Sequence, residues 1–252
     1  MTTLQELVSY TNTLLDIHQF RDYCPNGLQV EGRNEVQTLI SGVTASQAFL
    51  EAAINADADA LLVHHGYFWQ GEDPCICGMK KKRLARLLEA NVSLLAYHLP
   101  LDAHAKYGNN AQLAKLLGFN AEGNFGRGPG DELGMYATLS ASMSPDAFAA
   151  HLGAGLGRIP LHIAGSASEI RTVAWCTGAA QGYIEQAVRI GVDAFVSGEI
   201  SEQTVHVARE TGIHFYAAGH HATERYGVQA LGGHLADRFT INHRFIDIDN
   251  PV

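Results

Sequence analysis

Apolar positions recur along this chain in two rhythms. Residues 3–17 carry Leu4, Leu7, Val8, Leu14, Leu15 and Ile17, a spacing that suits one helical face better than strand alternation. Pro25-Asn26-Gly27 signals a turn, and Leu28-Gln29-Val30 a short strand after it. Short apolar runs then alternate with helical patterns. Leu39 to Val43 predicts a strand, and Thr44 to Ala56 a helix capped by Thr44 or Ser46. Leu61 to Val63 predicts the next strand, Lys80 to Ala90 a helix, and Val92 to Tyr97 a third strand. Asn110 to Leu117 follows as a helix that Gly118 can end. This β-α-β-α-β-α order argues for an α/β fold with mainly parallel pairing.

Gly123 to Gly134 holds five glycines in twelve residues. A phosphate-cradling loop would follow a strand and open a helix, and this stretch does neither clearly, so it reads as a linker or exposed loop. A more variable segment follows, with a helix expected from Ser144 to Leu156. A repeat then emerges. Gln47 to Ala53 lines up with Gln181 to Ala187, and the same offset of 134 pairs Asp59-Ala60 with Asp193-Ala194 and Leu39–Val43 with Val173–Thr177. It also sets His64-His65 opposite Gly198-Glu199. The third strand, Leu94 to Tyr97, is matched to Ile213 through Tyr216, and Phe245-Ile246-Asp247-Ile248 alternates as a closing strand. The expected fold class is therefore α/β: two pseudo-repeated strand-helix-strand units forming two related mixed or parallel-sheet lobes, with a metal site in the cleft between them. The expected divisions are 1–120 for the first lobe, 121–170 for a linker and variable segment, and 171–252 for the second lobe, intertwined as one domain overall.

Composition narrows the partners. The 252 residues are 46% hydrophobic and 17% charged, an ordinary globular balance, with a net charge of −9. An acidic chain is a poor binder of phosphate backbones, and the basic run Lys80-Lys81-Lys82-Arg83 reads as a solvated helix start. No run approaches the ~18 apolar residues of a membrane span. The stretch Met1 to Glu6 has neither the basic start nor the apolar core of a signal peptide, so the expectation is a cytoplasmic protein. Cys75 and Cys77 form C-x-C, without the two-residue gap of common zinc and redox motifs, and with Cys24 and Cys176 they read as reduced thiols.

Three clusters carry candidate chemistry: His64-His65, then His98, Asp102 and His104, and finally His220-His221 with Glu224. Each follows a predicted buried strand, and the carboxyl ends of strands are where open α/β sheets place their sites. Histidine with carboxylate suits divalent transition metals. His64 and His65 can grip two different ions at a strand end. His220 and Glu224, four apart, share a face if Gly219 precedes a helix, and can chelate one ion or straddle two. Three histidines with two carboxylates exceed what one four-coordinate zinc with an open position requires, whereas two ions sharing a carboxylate fit the count. His104, His151, His162, His206, His214, His234 and His243 read as hydrogen-bonded packing residues.

Gly42-Val43-Thr44, Val63-His64-His65-Gly66, His98-Leu99-Pro100-Leu101-Asp102, Ser197-Gly198-Glu199 and Gly219-His220-His221-Ala222-Thr223-Glu224 resemble the GTP cyclohydrolase I type 2 family, also called the Nif3-like family. Pro25-Asn26-Gly27-Leu28-Gln29 and Phe245-Ile246-Asp247 fit too, so the resemblance spans nearly the whole chain and is closest to the short bacterial members. It implies two divalent ions per subunit (zinc, iron, manganese or similar) on His64, His65, Asp102, His220 and Glu224, with His221 supporting them. It further implies a homohexameric ring whose sites face an internal cavity. Glu199 fills a family position near the site and is a candidate catalytic, proton-handling group. His98 is a candidate for orienting a ligand or contacting substrate. The function expected is a metal-dependent hydrolase acting on a nucleotide-like or heterocyclic small molecule through a metal-bridging hydroxide, GTP ring opening being the family's namesake. A non-catalytic, metal-dependent ring that binds or regulates a partner is the alternative, and redox chemistry at paired iron fits the same ligands.

Overall fold

The strand Ala60–His65 lies third in a five-stranded sheet. The computed structural model describes residues 2–126 and 132–252. It divides into two units, Met1–Gly108 with Gly227–Asp249, and Asn109–Tyr226 with Asn250–Val252. The first unit holds the five-stranded sheet, ordered Asn242–Phe245, Thr38–Thr44, Ala60–His65, Ser93–Ala96 and Gly27–Val30. Its first four strands run parallel, and Gly27–Val30 pairs antiparallel at the edge.

Alternate residues of these strands feed two cores. Ile40, Leu61, Val63, Leu94 and Ala96 pack with Phe49, Leu50, Leu84 and Leu87 of the helices Gln47–Ile54 and Gly78–Ala90. Leu39, Ala60, Leu62, Leu95 and Tyr97 pack on the other face with Leu4 and Leu7 of the helix Leu4–Leu14 and with Val228, Leu231 and Leu235. A sheet covered on both faces explains why its strands read as unbroken apolar runs rather than alternations. Full burial of each Leu or Val here contributes about 1.5–3 kcal/mol.

The second unit repeats the plan. Its six-stranded sheet is ordered Gly123–Phe125, Gly134–Met143, Ile170–Cys176, Ala194–Ser197, His214–Ala217 and Leu161–Ile163. The strands Ile170–Cys176, Ala194–Ser197 and His214–Ala217 are parallel to one another, and the rest pair antiparallel. The offset of 134 holds in the register itself. Leu39 pairs Ala60 in one sheet, and Val173 pairs Ala194 in the other. Asp59 and Asp193 then do the same work. Asp59 Oδ2 accepts from the backbone N–H groups of Gln37 and Thr38, each at 2.9 Å. Asp193 Oδ2 accepts from those of Arg171 and Thr172, at 2.9 and 2.8 Å. The repeat also takes in the antiparallel edge strands, since Leu28 faces Leu95 as His162 faces Tyr216.

Four local expectations need correction. The third strands match two residues further along: Ser93 and His214 occupy the same register, so Leu94 corresponds to Phe215 and not to Ile213. Apolar side chains alone do not distinguish such a slip. The last strand is Asn242–Phe245, and Ile246 and Ile248 lie beyond it, packed against the first core. Gly27 opens a strand rather than completing a turn. The 121–170 segment contains more than a helix and connections: Gly123–Phe125, Gly134–Met143 and Leu161–Ile163 are three strands of the second sheet. Of the glycine-rich stretch, Gly128, Pro129 and Gly130 lie outside the described residues.

Candidate metal centre

In the first unit the strand Ala60–His65 runs through both histidines instead of stopping before them. Strand alternation would separate neighbouring side chains, yet the rings of His64 and His65 lie 4.5 Å apart between centroids, with His98 5.0 Å from His64 and 5.7 Å from His65. One nitrogen from each falls within 4.8 Å of the others. His64 is fully buried, and its Nδ1 lies 2.9 Å from the Tyr97 carbonyl oxygen. A carbonyl only accepts, so Nδ1 carries the proton and Nε2 is left as the basic nitrogen. That Nε2 stands 3.5 Å from Oδ1 of the buried Asp102, on the short helix Leu99–Ala103. Pro100 suits the first turn of that helix, where its missing N–H is no loss. His65 pairs its Nδ1 with the Thr44 hydroxyl at 3.1 Å.

His98 precedes the same helix and is held by a residue the sequence did not single out. Asp22 accepts from His98 Nδ1 at 2.7 Å, from the Leu99 N–H at 2.9 Å and from Asn26 Nδ2 at 2.8 Å. Burial opposes ionisation of Asp22, but His98 and these hydrogen bonds outweigh it and hold the carboxyl below its ordinary range. The partners are 76 residues apart, so no local spacing could have announced the pair. Cys24 lies close to Asp22 and His98, but burial and then the Asp22 charge push its thiol up to about 12. In the metal-free protein it stays protonated.

In the second unit His220 and Glu224 lie on the helix His220–Phe239, one turn apart as expected, with Nε2 3.1 Å from Glu224 Oε2. His220 Nδ1 donates to Glu199 Oε1 at 2.6 Å. Burial alone would lower the His220 pKa. The hydrogen bond and charge of Glu224, then those of Glu199, overcome that and hold it at about 9. The strand end around them is tied by one carbonyl: Gly178 O accepts from Gly198 N–H at 2.9 Å, Glu199 N–H at 3.2 Å and the Ser197 hydroxyl at 3.2 Å. The Gly178 N–H donates to Thr223 Oγ1 on the helix at 3.1 Å. Gly178 sits at φ +68°, and a Cβ there would overlap the Glu224 carboxylate. Next along the helix, the His221 N–H donates to the Val252 carbonyl oxygen at 3.0 Å.

The donor set fits divalent transition metals. His64, His98 and His220 each commit Nδ1 to an acceptor that cannot donate, a carbonyl or a carboxylate, which leaves Nε2 to a ligand. Two of those Nε2 atoms already face carboxylate oxygens, Asp102 and Glu224. The proton that His220 keeps against Glu224 is the charge a cation would replace. Glu199 acts on His220 Nδ1, which makes it a positioning residue in this geometry. Of the histidines expected to pack, His234 bonds to the Tyr10 and Tyr107 hydroxyls, His243 to Ser41, His151 to the Leu117 carbonyl, His162 to His214, and His104 Nδ1 accepts from the Lys106 and Tyr107 N–H groups, whereas His206 is exposed on its helix and not packed.

The chain resembles known proteins over its full length. The family model Duf34/NIF3 (NGG1p interacting factor 3) matches residues 2–251. A Pseudomonas aeruginosa protein named GTP cyclohydrolase 1 type 2 homolog is 58% identical over 249 residues, covering 99% of this chain and 98% of its own. A protein of the same name from Allochromatium vinosum is 55% identical over 252 residues, 100% of this chain and 98% of its own. A solved structure described as protein ybgI, of unknown function, matches with a TM-score of 0.96 at 48% identity, covering both chains completely. Among the described residues, no helix is long and apolar enough to cross a membrane.

Proposed function

The chain belongs to the DUF34/NIF3 family, and from that premise we propose a metal-dependent hydrolase acting on a nucleotide-like or heterocyclic small molecule. Its two divalent ions are held together by His64, His65, Asp102, His220 and Glu224. The observation that carries this is the orientation of the imidazoles: His64 and His220 have Nδ1 locked by Tyr97 O and Glu199, and both turn Nε2 toward a carboxylate. Five ligands exceed one closed tetrahedral site and leave open positions on two ions. Bound there, two divalent ions supply Lewis acidity and lower the pKa of coordinated water.

The chain's own residues do the remaining work. Glu199 keeps the proton on His220 Nδ1 and fixes that ring's tautomer. Asp22 does the same for His98, whose ring packs beside His64 and His65 with Trp69 edge-on at 5.0 Å. His98 Nε2 is thereby available to give or take a proton at substrate. The substrate class follows the name carried by the relatives, GTP cyclohydrolase 1 type 2 homolog. Self-association into a homohexameric ring in the cytoplasm belongs to the same proposal, and an acidic chain speaks against nucleic acid as partner.

The test is an assay of purified, metal-replete protein against GTP, other nucleotides and a set of nitrogen heterocycles. Turnover that disappears in the Asp102→Ala and Glu224→Ala variants is the expected result. Absence of turnover across the panel, with both ions bound, overturns it and leaves a non-catalytic metal-dependent assembly.

A further inference from the structure

On the reading of this site as a centre for nucleotide-like molecules, we propose that Arg158 anchors a phosphoryl group of the substrate in a cavity beside His220. Arg158 follows the helix Pro145–Leu156, and its guanidinium comes to rest against Gly219, the residue before His220. A Cβ at Gly219 would lie 2.5 Å from Arg158 Nη1 and 2.9 Å from Cζ, and φ there is +100°. The backbone there favours glycine, and the missing Cβ leaves room for the guanidinium.

The cation is incompletely used. Among the described residues its hydrogen bond runs from Nη1 to the Pro251 carbonyl oxygen at 2.8 Å, and no carboxylate lies within ion-pair distance. A guanidinium carries five N–H donors in a fork that matches phosphate oxygens. Arg158 is half-buried and lines a cavity of about 330 Å³, shared with Glu199, Gly219, Leu161, Pro251 and Val252. That volume admits a phosphate with part of its carrier. Leu161 and Val252, both exposed, add apolar wall for a flat ring. The acidic side chain in the lining, Glu199, is already engaged, accepting from His220 Nδ1 at 2.6 Å. The Pro251 carbonyl occupies the position of one phosphate oxygen, and an incoming dianion exchanges with it for a stronger, charge-assisted contact.

A purely structural Arg158 would only tie down residues 250–252. Calorimetric titration of the metal-loaded full chain with guanosine monophosphate and with guanosine separates the two. The expected result is that the monophosphate binds at least about tenfold more tightly than the nucleoside, as a charge-assisted contact implies. Arg158→Met abolishes that preference and Arg158→Lys retains part of it, with metal content unchanged in both. Equal affinity for the two probes, no binding of the monophosphate, or a preference that Arg158→Met leaves intact overturns the proposal. Turnover measured on the same samples keeps the two claims apart: a phosphate preference without turnover counts against the hydrolase, not against the anchor.

Discussion

Glu199 Oε1 and His220 Nδ1 are joined by a 2.6 Å hydrogen bond, and Glu199, just beyond the strand Ala194–Ser197, follows His65 by the same 134 residues that relate the two copies of the repeat. One copy of the repeat therefore places an imidazole at this position, and the other places a carboxylate that orients the imidazole of His220. Glu199→Gln keeps the shape but removes the charge that fixes His220. Metal affinity is expected to fall about 10–100-fold, with the fold intact. Competition against a chromophoric chelator measures this, and an unchanged affinity refutes the positioning role.

The His220 proton makes metal binding pH-dependent. With its pKa held at about 9, the ring is cationic at neutral pH in the metal-free protein and must lose its proton to bind. Affinity is expected to rise about tenfold per pH unit toward pH 9 and then level off. In the metal-free protein the ion pair contributes stability that is fully present below the ordinary pKa of 6.5 and is lost as pH rises through about 9. Titrations in buffers of different ionisation enthalpy count the proton released, and release of none at pH 7 contradicts the assignment.

Gly178→Ala strains a left-handed backbone and drives a methyl group into the Glu224 carboxylate, 3.3 Å from His220 Nε2. A loss of about 1–3 kcal/mol is expected from the backbone, together with at least about tenfold weaker metal binding from the displaced ligand. Urea unfolding and the same chelator competition read the two effects separately. Normal affinity in a folded variant would show that Glu224 is not a ligand.

Asp59→Ala and Asp193→Ala test the repeat. Each removes the acceptor of two backbone N–H groups, and a comparable loss of about 1–3 kcal/mol is expected from each. Asp59 also pairs with Arg33 at 2.9 Å, on a partly exposed side chain that adds little. Equilibrium unfolding curves decide this; a negligible effect at either position removes the functional equivalence.

Much of this was legible in the sequence because the repeated residues do repeated work. Asp59 and Asp193 stand 134 apart because each closes the same turn onto its strand. The buried strands showed as apolar runs because both sheet faces are covered. The third strand's register was not legible, since Leu94-Leu95 and Phe215-Tyr216 are all fully buried but share no residue type that would align them. Gly134–Met143 was obscured because its alternation, with Met135, Ala137 and Leu139 inward, begins at the end of a glycine-rich stretch and runs into Ser140 and Ser142. Asp22 was illegible because its bond to His98 joins distant parts of the chain. The ligand types were visible because buried histidine and carboxylate are costly without a purpose.

Anomalous diffraction from crystals of the metal-loaded protein tests the central claim most directly. Two peaks per chain are predicted, contacted by His64, His65, Asp102, His220 and Glu224, with His64 and His220 coordinating through Nε2. A single peak, or peaks that leave the Nε2 atoms of His64 and His220 uncoordinated, would contradict it.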